Sequence, residues 1–199
     1  MAFLEHHDVF VGSTGDGHTF VALNADLPAA HRILTRNGFT AREHQGRSLY
    51  LLPPTSAQEA HDRVGQVLHE LFPHTMDFAD LSWTTRWIGS GPLPETGARF
   101  DLSEGRVTAT VDTDAAREVL EQHGFQRTPT GYALPGEIGE RESVGIVVRA
   151  EIHLWALGHG VEVSLGFLTP DAIPPARSRA SAPAPAQPPQ PATSKRHTR

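Results

Sequence analysis

Two stretches of this chain repeat one another. Residues 21–39, VALNADLPAAHRILTRNGF, align without a gap on residues 107–125, VTATVDTDAAREVLEQHGF. Seven of the 19 positions are identical, and they are positions a fold needs: Val21 with Val107, Asp26 with Asp112, a pair of alanines, Leu34 with Leu120, and Gly38-Phe39 with Gly124-Phe125. Self-similarity of this kind means one supersecondary unit used twice, so both halves of the chain must fold by the same plan.

The plan can be read from the repeated residues. Asp26 and Asp112 stand where helix N-caps belong, and Pro28 suits a first helical turn. Ala30, Ile33 and Leu34, or Ala116, Val119 and Leu120, then recur at helical spacing. Gly38 and Gly124 end the helices in left-handed geometry, and the following Phe folds back on the last turn. A hairpin comes next, turning at Gln45-Gly46 or Thr130-Gly131, with Tyr50 aligned on Tyr132.

A second helix carries Ala60, Val64, Val67, Leu68, Leu71 and Phe72, or Val144, Val148, Ile152 and Trp155. A strand closes each unit, through Met76, Phe78 and Leu81 or through Val161, Val163 and Leu165. Before the first helix stands another hairpin, Val9–Val11 with Thr19–Leu23, or Arg99–Leu102 with Val107–Val111.

The expected fold is α+β: a tandem duplication of a β-β-α-β-β-α-β unit. Its last six elements match a ferredoxin-like core, an antiparallel sheet with both helices on one face. Residues 1–83 and 98–168 form the two α/β units. Residues 84–97 link them, marked by Gly89, Gly91, Pro92 and Pro94, with Trp83 and Trp87 placed to pack between the units. Residues 169–199 hold eight prolines and read as a disordered Pro/Ala-rich basic tail. Whether the units join edge to edge or through their helices is open at this level.

Composition narrows the functional classes. Residues 1–169 carry 12 Arg against 22 acidic residues, whereas residues 170–199 carry five cations against one acid. An acidic fold is a poor platform for a phosphate backbone, so nucleic acid is expected only as a weak contact of the tail through Arg177, Arg179, Lys195, Arg196 and Arg199. There is no cysteine, which removes disulfides and thiolate chemistry. No run of about 18 apolar residues occurs, so no membrane partner is expected. The first residues lack the basic and apolar regions of a secretory signal, and a cytoplasmic location follows as an expectation. One Lys beside 16 Arg reads as codon bias of a high-GC bacterium.

No catalytic, cofactor or metal set emerges. Gly12–Gly17 is followed by His18-Thr19 and a strand, where a phosphate loop needs Lys-Ser or Lys-Thr and a helix, so it reads as a hairpin turn. His69 and His74 straddle Pro73 and so miss the zinc spacing. His18, His69 and His153 are the residues to examine for ligand binding, the last two because the repeat can be aligned to match them. Paired histidines in duplicated α/β units resemble the two-histidine phosphoesterases. Those carry His-x-Thr or His-x-Ser in each lobe, and this chain has His18-Thr19 and Arg106-Val107-Thr108 instead.

The expected function is therefore a non-enzymatic binding or regulatory protein, presenting a duplicated module to a protein partner or a small ligand. The alternatives are a small-metabolite-sensing pair that resembles the ACT-like kind in fold alone, then a phosphoesterase-type enzyme, then a weak nucleic-acid binder.

Overall fold

The computed structural model of the protein describes residues 2–175. The first unit runs β1 (Val9–Ser13), β2 (Thr19–Leu23), α1 (Ala30–Arg36), β3 (Thr40–His44), β4 (Arg47–Leu51), α2 (Ala57–Leu71) and β5 (Phe78–Asp80). A short helix, α3 (Trp83–Arg86), leads to the second unit. That unit runs β6 (Thr96–Ser103), β7 (Arg106–Val111), α4 (Asp114–Gln122), β8 (Gln126–Thr128), β9 (Gly131–Ala133), α5 (Glu140–Ala156) and β10 (Gly160–Ser164). Among the described residues no helix is long and apolar enough to cross a membrane.

Both sheets have five strands in the same order, β3-β4-β2-β1-β5 and β8-β9-β7-β6-β10. In each, the last strand runs parallel to the first and all other neighbours are antiparallel. This order differs from a ferredoxin-like sheet, in which β5 would lie beside β2. The extra strand β1 takes that place, because its tight hairpin to β2 uses the edge that β5 would otherwise pair with. The hairpins also differ in register. Tyr50 lies opposite Val21, but Tyr132 lies opposite Ala109, two residues further along than the repeat predicts. A slip of two keeps both rings on the helix side.

Local chemistry explains the helix ends. Gly38 and Gly124 have φ of 85° and 84°, and Phe39 N–H and Phe125 N–H reach back to Leu34 O and Leu120 O. Neither aspartate is a cap. α4 is capped by Thr113, whose backbone is extended and whose hydroxyl accepts from Ala116 N–H at 3.2 Å. α1 enters through helical backbone at Ala29, after a turn in which Ala30 N–H donates to Leu27 O, and has no side-chain cap. An N-cap needs extended backbone, which Ala29 lacks.

The units join neither edge to edge nor helices to helices. α1 and α2 cover one face of the first sheet, with Val9, Val11, Val21 and Tyr50 beneath them. The opposite face, Phe10, Phe20, Ala22, Leu49 and Leu51, shares one apolar cluster with the interior of the second unit. α5 touches β5 and the N-terminal turn Ala2–Glu5, and β10 touches β1. α5 thus buries Ser143, Val144, Ile146, Val147, Ala150, Glu151 and Leu154. This is a broader band than the expected stripe, and it leaves Ile152 half exposed. A helix packed on two sides has no single apolar stripe for the helical period to reveal.

The segment after β10 is part of this packing. Phe167 meets Phe20 edge-on at 5.2 Å, and Ile173 is fully buried. Glu43 N–H donates to Pro174 O at 3.0 Å, and Pro175 bridges Arg42 on the edge strand β3. The tail expected from residue 169 therefore gives its first seven residues to the fold. Its remainder, with the basic residues Arg177, Arg179, Lys195, Arg196 and Arg199, lies outside the described residues.

Candidate functional site

A cleft of about 650 Å³ opens between the units. The first unit supplies the β1–β2 turn, Ser13–Thr19, and the segment Leu52–Thr55 that leads into α2. Trp83 of α3 and Leu93 and Pro94 of the linker form a side wall. The second unit supplies Trp155 of α5 and Gly160–Val163 of β10. Trp83 Nε1 donates to Gly17 O at 2.9 Å, which ties the wall to the turn.

The glycine-rich turn is held from both sides. Gly15 N–H and Asp16 N–H donate to Phe167 O and Leu168 O, so residues 167–168 dock on it like a short strand. Thr14 hydroxyl donates to Asp16 Oδ1 at 2.6 Å, and His18 Nδ1 lies 3.0 Å from the same oxygen. These bonds hold the Asp16 carboxyl below its usual range, the threonine hydroxyl first and the histidine next, with desolvation opposing them. Behind the turn sits a hydroxyl cluster. Ser82 lies 2.6 Å from Thr84 and 3.3 Å from both Ser13 and Thr19, with all four residues buried. Satisfied buried hydroxyls of this kind fix the base of the cleft.

Beneath Trp155 lies a buried charge cluster that bridges the units. Arg86 of α3 donates to Asp80 O at 2.6 Å, and its guanidinium reaches Asp80 Oδ2 at 3.5 Å and Glu151 Oε2 of α5 at 3.3 Å. Burial pushes the Glu151 carboxyl up to about 8, with Asp80 adding to the rise and Arg86 opposing it. Burial raises the Asp80 carboxyl as well, against the pull of Arg86. Glu151 Oε1, Arg86 Nε and the indole N–H groups of Trp87 and Trp155 have no protein partner among the described residues.

The three histidines singled out in the sequence separate. His18 stands in the cleft wall. His69 is exposed near the end of α2, and His153, near the end of α5, rests edge-on against His123 at 5.7 Å. Burial, then the neighbouring His153 and Arg149, lowers the His123 imidazole from its usual range. No hydrogen bond or ring contact joins His18, His69 and His153 among the described residues. Asp77, near His74 in sequence, is held instead by His7 at 2.8 Å and Arg141 at 2.6 Å.

Sequence reading missed Asp16, Trp155 and the Asp80–Arg86–Glu151 cluster. One signal was present: Glu151 lies at helical spacing with Val144, Val147 and Leu154, a carboxylate inside an apolar band. Compared with protein families, curated proteins and solved structures, the chain matches none.

Proposed function

We propose that the chain is a non-enzymatic binding protein that takes a small molecule into the cleft between its two units. The observation that carries this reading is that the cleft has one wall from each unit, with the hydrogen-bonded turn Ser13–Thr19 as its rim and apolar side chains around it. Concave, mostly apolar sites with a few placed polar groups, set at an interface between units, are where small ligands bind. A tandem duplication, with residues 1–83 and 98–168 as the copies and 84–97 as the link, is part of the reading. The shared strand order supports it. A cytoplasmic setting suits the cysteine-free composition.

The test is native mass spectrometry of the full chain purified gently from its own host, beside the variant Thr96→Trp, which fills the mouth of the cleft. A small molecule retained by the parent and lost from the variant supports the reading. Retention equal in both places the ligand elsewhere, and turnover of the retained molecule ends the non-enzymatic part of the proposal. A melting-temperature rise that scales with ligand concentration is the second readout.

A further inference from the structure

We infer that the ligand of the inter-unit cleft is an organic cation, an amine or amidinium group on a flat apolar body. The inference rests on the cleft reading above and goes on to name the chemical class.

The hydrogen-bonding sense of the turn carries the argument. Each backbone N–H from Thr14 to His18 is already used: on His18 O, Phe167 O, Leu168 O, Thr14 O and the Thr14 hydroxyl, at 2.7–3.1 Å. A glycine-rich turn binds phosphate or carboxylate through free N–H groups, and here none is left. What the turn still offers is acceptors. Asp16 Oδ2 has no hydrogen-bond partner among the described residues. His18 Nδ1 is taken up at 3.0 Å by the other oxygen, Asp16 Oδ1. A ligand that meets the free Asp16 oxygen must therefore bring a donor.

The rest of the lining agrees. Among the described residues it contains Asp16 and Glu162 but no Lys or Arg. Glu162 is held by the guanidinium of Arg99 at 2.9 Å, whereas Asp16 faces only Thr14 and His18, so Asp16 is the carboxylate without an arginine beside it among the described residues. The start of α2 also reaches the cleft, and a helix N-terminus attracts anions. That end is already answered, because Ser56 caps Glu59 N–H and the Glu59 carboxylate sits in the first turn. Trp83 and Trp155, one from each side, supply indoles to which a cation is attracted, and Pro53, Pro54 and Pro94 add apolar lining. On the far side of the Asp16–His18 pair, a smaller hollow holds Arg42 and Asp171, one charge of each sign.

Benzamidine, benzamide and benzoate have nearly one shape and differ in charge, so they isolate the property at issue. Calorimetric titration of the full chain should show benzamidine binding about tenfold or more tighter than benzamide, and benzoate weakest. Asp16→Asn should bring benzamidine to within about twofold of benzamide, and Asp16→Glu, which keeps the charge, should restore part of the preference. Benzoate or benzamide binding as tightly as benzamidine overturns the inference. So does an unchanged preference in Asp16→Asn, or silence from all three probes at roughly millimolar concentration. The two readings fail separately. If the cation preference is absent while the parent still retains a molecule that Thr96→Trp loses, the cleft reading stands and the cation falls. If nothing is bound or retained, both fall.

Discussion

The two sheets share one topology and differ in how much of each is inside the protein. Strands β1 and β2 are buried on both faces, whereas β6 and β7 alternate between buried and exposed residues. With Val21 set on Val107, the pairing register makes Phe10 the counterpart of Asp101, Phe20 of Arg106, and Ala22 of Thr108. The helix-facing positions stay apolar in both units: Val11 with Leu102, and Val21 with Val107. A handful of residues on one face of one sheet therefore decides which sheet is enclosed. The lesson is physical. Two packed sheets cannot both be outermost and both be apolar on two faces, so one sheet keeps a solvated side.

The comparison can be broken most strongly at its centre. Phe20→Ala should cost roughly 3–5 kcal/mol in urea unfolding, because Phe20 is fully buried against Phe167. The matching change Arg106→Ala should stay within about 0.5 kcal/mol of the parent. Equal losses would mean that the second sheet is covered too.

Next comes the bridge between the units. Arg86→Leu leaves Asp80 and Glu151 buried without their cation, and should cost about 3–5 kcal/mol. The second unit has no counterpart of this cluster, since Asp80, Arg86 and Glu151 meet only where α5 reaches the first sheet. The same cluster gives a pH signature. A folded carboxyl raised to about 8 keeps its proton where the unfolded chain has lost it. Stability from this group is full in acid, falls as pH rises from the ordinary glutamate range toward about 8, and is level above that. The unfolding midpoint of the parent should therefore drop over that window relative to Glu151→Gln. Parallel curves would show that the Glu151 carboxyl is not raised in the folded state.

A smaller effect is expected where the chains pass closely. A Cβ on Gly12 would sit 2.5 Å from Leu165 Cδ1 and 2.9 Å from Phe20 Cζ. Gly12→Ala should cost about 1–3 kcal/mol through displaced core side chains. Ser103, its counterpart by register, is exposed, and Ser103→Ala should leave the midpoint unchanged. The smallest contrast lies in the caps. Thr113→Ala should cost about 1 kcal/mol, and Asp26→Ala nothing measurable, because α4 is capped by a side chain and α1 is not.

Much of the unit was legible in the residues. The order β-β-α-β-β-α-β, the glycine ends of α1 and α4 and the first hairpin of each unit follow from short-range chemistry, and the structure shows them. The candidate site was less legible. His18 was marked as a residue, but its cleft is made of segments as far apart as Ser13 and Val163, and no local pattern links them.

The sequence alone determined what acts over a few residues: helical and alternating periods, turns that need left-handed backbone, and the repetition of one plan. Residues 9–12 and 20–23 are apolar throughout where RVTATV alternates, and the structure buries the first pair of strands on both faces. Only the tertiary structure decided the rest. It put β1 between β2 and β5, set α5 between the units, drew residues 165–175 over the first sheet and opened a cleft at the seam. The reason is that hydrophobic burial has no direction and reads no register. It rewards covering the apolar face of the first sheet, and shape and hydrogen-bond satisfaction choose which segment covers it.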